Sequence, residues 1–354
     1  MFRGHFGSSY FASNKLGTSC AWSNSIFYSI QVHCLQMFFA KPTGPPIDVR
    51  IRSVLTGTVI EHISVPSTSC VRDVKLKLHG SCEASIFRQR LLVGRDMCEN
   101  DDETIGDLAI GCEGALEADL VILDYVNDNG MALEMLEAAK AGSCDRVIKC
   151  LTAPLCPDVV DDSGRTPLWI AAAMGHHSAV QLLCTATANL DQAETATNCT
   201  PLYIASQQGH KTVVVSLCEA GASKEKVGPA ASTPLYIAAQ NNRWNVVEYL
   251  CECGAQKDHV TEYGCTALYV AAQYGHCEVI KKLSNEGADK EIANHNGSTP
   301  LFVAAVQGHR KAVRLLCELG AIKTTANNKG VTPEKAAEEK GFEEVAKLLK
   351  SEVF

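Results

Sequence analysis

Few residues in this sequence have types and spacings that could support catalysis. The strongest pair is His276-Cys277, which places a base next to a thiol, the combination that a cysteine nucleophile needs. Adjacent residues of a helix point in different directions, so the two side chains should not meet. His276 also belongs to a repeated Gly-His pair, which gives it a structural explanation. We therefore predict a protein that is not an enzyme.

Metal-binding patterns are also weak. Cys144, Cys150 and Cys156 are evenly spaced, but they lack the paired spacing of a zinc site. The acidic run at 99–103 lacks the glycine and the distal glutamate of a calcium loop, so a solvated turn explains it better. The sequence predicts no metal ion and no other cofactor.

Composition and charge restrict the class of protein further. The chain has 354 residues, of which 46% are hydrophobic and 20% are charged, as in ordinary soluble proteins with two or three domains. Its net charge of −8 and its lack of a basic run argue against nucleic acid as a partner.

One short phrase organises the second half of the chain. It begins at threonines that recur every 33 or 34 residues: Thr166, Thr200, Thr233, Thr266, Thr299 and Thr332. The next residues are Pro-Leu in four of these six places. A period held this evenly indicates a stack of equivalent supersecondary units, because a single globular core has no reason to repeat one phrase.

Each unit has the pattern of two helices. Threonine can cap the first turn, and proline fits the first helical position. Small residues such as Ala171 and Ala172 follow and allow close packing. Gly175 and its equivalents should end this helix in the left-handed conformation, and Asn242 takes that place in one unit. A second helix with an apolar stripe then runs to a Gly-Ala pair.

This pattern resembles the ankyrin-repeat family, whose units read Thr-Pro-Leu, Ala-Ala, Gly-His, an apolar helix and Gly-Ala. The Gly-His pairs are Gly175-His176, Gly209-His210, Gly275-His276 and Gly308-His309. The resemblance covers residues 131–354. It implies a mainly α protein, an α-solenoid of about six to seven repeats including polar terminal caps, which binds other proteins.

The sequence departs from the family in two features. The histidine that usually follows Thr-Pro-Leu is an aromatic residue in the units from Trp169 to Phe302, so its bond to the loop is lost or remade by a phenol. The glycine of the β-turn becomes Asn198 in one unit and Ala231 in another. The loop at Ala231, next to Pro229, should therefore have a different shape.

Four cysteines occupy one position of the second helix in their units: Cys184, Cys218, Cys251 and Cys317. Helices packed about 8–10 Å apart place such cysteines beyond the roughly 7 Å Cα limit of a disulfide. We expect buried thiols in a reducing compartment, and thus a cytoplasmic or nuclear protein.

The first segment, residues 1–45, differs from the rest. It has no acidic residue, and its apolar stretch is interrupted by polar side chains. An unstructured leader and an organelle-targeting segment both fit, whereas a membrane anchor fits least because a span needs about 20 mostly apolar residues. The boundary falls at the proline-rich run 41–46.

Residues 46–125 read as an α+β unit with the order strand, strand, helix, strand, turn, strand. The unit resembles the ubiquitin-like (β-grasp) family in three phrases, Leu55-Thr56-Gly57, Val74-Lys75-Leu76-Lys77 and Gln89-Arg90-Leu91. The resemblance places the family's hydrophobic recognition patch at Leu55, Leu92 and Leu123. Ordinary half-buried strand leucines are the alternative explanation.

The last strand of this unit ends at Leu123-Asp124-Tyr125 without a Gly-Gly tail. An internal domain of this kind cannot be activated through a C-terminal carboxylate, so the resemblance implies a docking module. A linker at 126–130 and the repeat array at 131–354 follow.

The groove of the array should be lined by residues that stacking does not use, at the turn tips and at the ends of the first helices. These are Asp162, Ser163, Arg165, Met174, Thr197, Gln207, Gln208, Gln240, Asn241, Glu262, Tyr263, Gln273, Tyr274, His295, Asn296, Val306 and Gln307. Amides and tyrosines dominate this set, which favours a protein or peptide partner.

These observations predict a non-catalytic adaptor. Its groove holds a client protein while the tail-less ubiquitin-like domain docks on ubiquitin–proteasome components. The alternative is a plain ankyrin scaffold in which the β-grasp domain is only structural. The identity of the client and the oligomeric state are left open.

Overall fold

The computed structural model describes residues 45–53, 59–82, 86–93, 96–98, 101–109, 116–125 and 128–351. Residues 1–44 of the predicted leader, and the predicted hairpin turn Leu55-Thr56-Gly57, lie outside them. The described chain has two sections, a mixed sheet with helices and then a long series of helices.

Five strands form one mixed sheet. They are β1 (Pro46–Ser53), β2 (Val59–Pro66), β3 (Gln89–Val93), β4 (Asp96–Met97) and β5 (Leu116–Ile122), in the spatial order β2-β1-β5-β3-β4. The central strands β1 and β5 are parallel, and the other neighbours are antiparallel. Two helices, α1 (Val71–Cys82) and α2 (Ile105–Leu108), complete this α+β unit.

The core of the α+β unit follows the hydrophobic pattern of its sequence. Ile51 of β1 and both Val74 and Leu78 of α1 are fully buried, as period-two and helical spacing predict. The sequence Thr104-Ile105-Gly106-Asp107 has the pattern of a small capping box, which predicts a cap at Thr104. The structure confirms this cap of α2, because the Asp107 N–H donates to Thr104 Oγ1 at 3.1 Å.

Three details of the α+β unit differ from what its sequence pattern predicts. Gly80 predicts the end of the helix, but α1 continues to Cys82, because a glycine inside a helix costs only about 1 kcal/mol. The apolar run at 120–123 predicts the last strand, but β5 begins four residues earlier at Leu116, because the alternating pattern extends it. Strand β4 has two residues, which is too short to leave a periodic signal.

Seven pairs of helices follow between Asn129 and Lys350. The first helices of the pairs, called inner helices, are α3 (Asn129–Ala141), α5 (Pro167–Met174), α7 (Pro201–Gln208), α9 (Pro234–Gln240), α11 (Ala267–Tyr274), α13 (Pro300–Val306) and α15 (Pro333–Glu339). The second, outer helices are α4 (Cys144–Thr152), α6 (His177–Thr185), α8 (Lys211–Ala220), α10 (Trp244–Glu252), α12 (Cys277–Asn285), α14 (Arg310–Glu318) and α16 (Glu343–Lys350). Each helix packs on its equivalents in neighbouring pairs.

The predicted start and stop signals of the inner helices are confirmed. From α5 to α15, each repeated threonine accepts a hydrogen bond from the N–H three residues later, at 3.1 to 3.4 Å. Gly175, Gly209 and Gly275 end their helices in the left-handed conformation. Asn242 replaces the glycine with φ of 56°, as its tolerance of that conformation predicts.

One continuous hydrophobic core runs through all seven pairs, from Met135 to Leu349. Alanines such as Ala238 and Ala271 are fully buried and let neighbouring helices approach closely. No pair could bury its apolar faces alone, so the pairs stack as a helical solenoid.

Burial also explains the repeated cysteines of the outer helices. Cys251 and Cys317 are buried, and Cys184 and Cys218 are partly buried. Burial raises the pKa of the Cys184 and Cys218 thiols to about 12 and that of Cys251 to about 11. These cysteines are protonated at neutral pH and act as small apolar side chains.

Candidate functional site

The turns that precede the inner helices are joined by backbone hydrogen bonds into a row. The N–H groups of Thr195, Glu262, His295 and Asn328 donate to carbonyl oxygens 32 residues earlier in the chain, those of Ser163, Ala230, Tyr263 and Asn296, at 3.0 to 3.2 Å. The row fixes the turn tips relative to one another, on the side of the array where the inner helices begin.

The row is interrupted at Pro229. This residue stands where the other turns have their donor, and proline has no N–H. The Asn198 side chain instead donates to the Val227 carbonyl at 3.1 Å. Ala230 and Ala231 both have positive φ, 54° and 57°. The different loop shape that the sequence predicts at Ala231 is therefore confirmed.

Ala231→Gly should stabilise the protein by about 1 kcal/mol, because glycine removes the steric cost of the left-handed conformation. Urea unfolding of the full chain measures this gain. Ala238→Gly, in the buried part of α9, is the control and should lose about 1 kcal/mol or more. A loss of stability in Ala231→Gly would contradict the strained backbone.

The aromatic residues that replace the family's histidine lie in the first turns of the inner helices. Trp169 Nε1 donates to the Cys199 carbonyl at 2.9 Å, and the Tyr203 hydroxyl lies 2.9 Å from Ser232 Oγ. Asn294 Nδ2 donates to the Tyr269 hydroxyl, also at 2.9 Å. An indole and two phenols thus remake bonds to the loops. Burial raises the pKa of Tyr269 to about 12, so its hydroxyl stays protonated.

The Gly-His histidines connect four of the helix pairs to the preceding pair. Nε2 of His176, His210, His276 and His309 lies 2.9 to 3.2 Å from a carbonyl oxygen at the end of the previous inner helix. A carbonyl only accepts, so Nε2 carries the proton. Arg243 replaces one histidine, and its Nε donates to the Gln207 carbonyl at 3.1 Å.

The same geometry explains His276-Cys277. His276 Nε2 donates to the Gln240 carbonyl at 3.0 Å, and its ring stacks on Tyr274 with centroids 5.8 Å apart. The Cys277 thiol is directed to the Gly275 carbonyl, and burial raises its pKa. This arrangement holds the stack and does not activate the thiol.

The seventeen predicted groove residues all retain access to solvent. Eleven are exposed: Asp162, Met174, Thr197, Gln208, Asn241, Glu262, Tyr263, Tyr274, His295, Asn296 and Gln307. Six are partly exposed: Ser163, Arg165, Gln207, Gln240, Gln273 and Val306. The side chains of three of the seventeen residues make local hydrogen bonds. Arg165 Nε donates to Asp161, Thr197 Oγ1 donates to Glu194, and Asn241 Nδ2 donates to the Ile237 carbonyl.

The three predicted patch leucines belong to the α+β unit and have different surroundings. Leu55 lies outside the described residues. Leu92 lies in β3, where its backbone pairs with Met97. Leu123 is half-buried, and its carbonyl accepts from Arg88 Nε at 2.7 Å. The strands beside them carry charge on the outer face, where Arg52 pairs with Asp119 at 3.0 Å.

The sequence did not reveal a contact between the α+β unit and the first helix pair. Phe87 packs against the core of the helical array, and Arg90 donates to the Thr152 carbonyl at 2.9 Å. Non-repeating contacts of this kind leave no period in the sequence.

The sequence predictions also did not include a row of carboxylates in the loops after the outer helices. Oxygens of Asp158, Asp191, Glu225, Asp258 and Glu291 accept backbone N–H groups of the next pair at 2.8 to 2.9 Å. Their spacing of 33 or 34 residues was a usable signal. In the described residues, histidine, cysteine and carboxylate side chains do not gather in threes that could hold a metal ion.

Stacked helix pairs joined by a row of turns define a helical-repeat protein. The chain belongs to the ankyrin-repeat family, since matches to ankyrin repeats in three copies cover residues 135–228, 224–294 and 271–353. No curated protein matches the chain. Ankyrin repeats mediate protein–protein interaction, and the family is typically non-catalytic. In the part of the chain that the structure describes, each helix is too short or too polar to cross a membrane.

Proposed function

We propose that this protein is a non-catalytic adaptor whose ankyrin groove binds a client protein or peptide. One observation carries the proposal. Side chains at equivalent positions of successive repeats, such as Gln208, Asn241, Tyr274 and Gln307, are exposed at the ends of inner helices. The hydrogen bonds between repeats use backbone groups of the groove residues, not these four side chains. The side chains can therefore contact a partner.

Loss of the exposed tyrosines tests this proposal. Tyr263 is 66% exposed and Tyr274 is 49% exposed, and aromatic anchors dominate binding energy at protein interfaces. Tyr263→Ala/Tyr274→Ala should weaken client capture by full-length protein at least about tenfold. Trp244→Ala, an aromatic control on an outer helix, should leave capture unchanged. Equal capture by all three proteins would refute the groove as the binding surface.

The adaptor proposal gives the α+β unit a second binding role, docking on ubiquitin–proteasome components. Its sheet order, with parallel first and last strands and a helix before β3, supports the resemblance to ubiquitin-like domains. Leu92→Ala in the full chain should then reduce binding to a ubiquitin receptor. Unchanged binding would remove docking from the proposal and leave the groove intact.

The alternative is a plain ankyrin scaffold in which the α+β unit has only a structural role. The contact of this unit with the first helix pair favours that alternative. A solenoid needs its terminal repeat covered, and Phe87 packs against the array's core. On this alternative, Phe87→Ala should raise amide hydrogen exchange in α3 and α4 about tenfold while α15 and α16 keep their protection. Unchanged exchange in α3 and α4 would exclude a capping role.

We also propose the division into a leader (1–45), an α+β domain (46–125), a linker (126–130) and the array (131–354). Helix α3 begins at Asn129, so the first helix of the array takes up the end of this linker. A cytoplasmic or nuclear location fits the buried, protonated thiols.

A further inference from the structure

Three glutamines occupy one position near the ends of consecutive inner helices, Gln207, Gln240 and Gln273. Their main-chain carbonyls accept hydrogen bonds from Arg243, His276 and His309 of the next repeat. The backbone beneath each glutamine is therefore fixed. Their side chains are partly exposed, and within residues 128–351 their amide groups have no hydrogen-bond partner.

A row of primary amides matches the main chain of a peptide. Each amide offers two N–H donors and one carbonyl acceptor, which are complementary to the C=O and N–H of a peptide unit. The predicted groove residues between Gln207 and Gln273 include one carboxylate, Glu262. The partly exposed Arg243, which bonds to the Gln207 carbonyl, adds one positive charge beside them, so the two charges balance. Charge complementarity therefore favours an uncharged segment.

The spacing of the row favours one backbone conformation. Neighbouring helices pack about 8–10 Å apart, so the glutamines recur at about that distance. A polyproline II helix advances about 9 Å per turn of three residues, and its backbone groups are unpaired. It presents the same face to each repeat. A β-strand alternates its faces every residue, so residues three apart would face opposite sides and could not contact successive repeats in the same way.

Aromatic side chains stand beside the amide row. The Tyr274 ring stacks on His276, and His276 Nε2 donates to the Gln240 carbonyl. The histidine thus links the tyrosine ring to that glutamine. Tyr236 is partly exposed in the preceding repeat. Grooves that bind polyproline II segments combine aromatic rings with hydrogen-bond donors to the peptide carbonyls.

We propose that the groove from Gln207 to Tyr274 binds an uncharged, proline-rich peptide segment in the polyproline II conformation, with about nine residues in contact with three repeats. This inference rests on the proposed function of the groove as the partner-binding surface. It adds the chemical class of the segment that binds there.

Fluorescence anisotropy with the full chain tests the inference. The probe is a labelled, capped peptide of twelve prolines, and a glycine-serine peptide of equal length is the comparison. The proline peptide should bind at least tenfold more tightly than the comparison peptide. Gln240→Ala and Tyr274→Ala should each weaken it at least fivefold, and Trp244→Ala should not. Circular dichroism confirms that each variant is folded, which alanine in a helix favours.

Equal binding of the two peptides, or an unchanged affinity in Gln240→Ala, would overturn the inference. Its failure is distinct from failure of the proposed function. If the Tyr263→Ala/Tyr274→Ala variant loses its client while the proline peptide does not bind, the groove is the binding surface for another class of segment. If neither the client nor the proline peptide depends on these residues, both proposals fail.

Discussion

Leu268→Ala should lower the free energy of unfolding of the full chain by about 2–5 kcal/mol. Leu268 lies in the inner helix of the fifth pair and is fully buried between its neighbours. Truncation leaves a cavity in the shared core and weakens the interfaces on both sides. Urea unfolding followed by circular dichroism measures the loss, which should appear as a lower midpoint.

Leu133→Ala is the matched control for this prediction. Leu133 lies on α3 but is 59% exposed, so its truncation should change the free energy of unfolding by no more than about 0.5 kcal/mol. Equal effects of the two substitutions would show that the apolar core does not run through the stack as described.

Gly275→Ala should destabilise the protein by about 2–5 kcal/mol, for two separate reasons. The residue has φ of 70°, which costs an alanine about 1–2 kcal/mol. A Cβ there would also lie 2.8 Å from Cγ of His309, whose ring would have to leave its bond to the Gln273 carbonyl. Overpacking of this kind adds about 1–3 kcal/mol. Thermal or urea unfolding measures the sum.

Gly287→Ala separates the two causes. Gly287 has φ of 86°, but a Cβ there meets nothing within 4 Å, so only the backbone cost of about 1–2 kcal/mol applies. In a protein that already carries His309→Ala, the further change Gly275→Ala should cost only as much stability as Gly287→Ala costs in the unaltered protein. If the double variant shows the full sum of two single penalties, the contact between repeats is not the cause.

The repeat array could be predicted closely because the same local sequence signals recur in each unit. Threonine caps, left-handed glycines and buried alanines act within one helix pair, and their recurrence makes each signal unambiguous. The exception at Ala231 was also visible, because the turn glycine that other repeats carry is absent at that position of the period.

The contacts that the sequence could not predict are those between non-repeating parts. Phe87 and Arg90 contact the array through a turn that has no equivalent elsewhere in the chain. The role of the Leu123 side chain, in recognition or in packing, likewise depends on its tertiary contacts. Its half-buried position and the bonds of its backbone to Arg88 could not be inferred from strand pattern.

Hydrogen exchange of the full chain with and without its captured client tests the central claim most directly. The central claim is that the turn tips and inner-helix ends form the binding surface. Binding should slow exchange at the turn tips around residues 262–263 and 295–296 and at the end of α11, while the outer helix α12 exchanges unchanged. Protection confined to α12 and the other outer helices would contradict it.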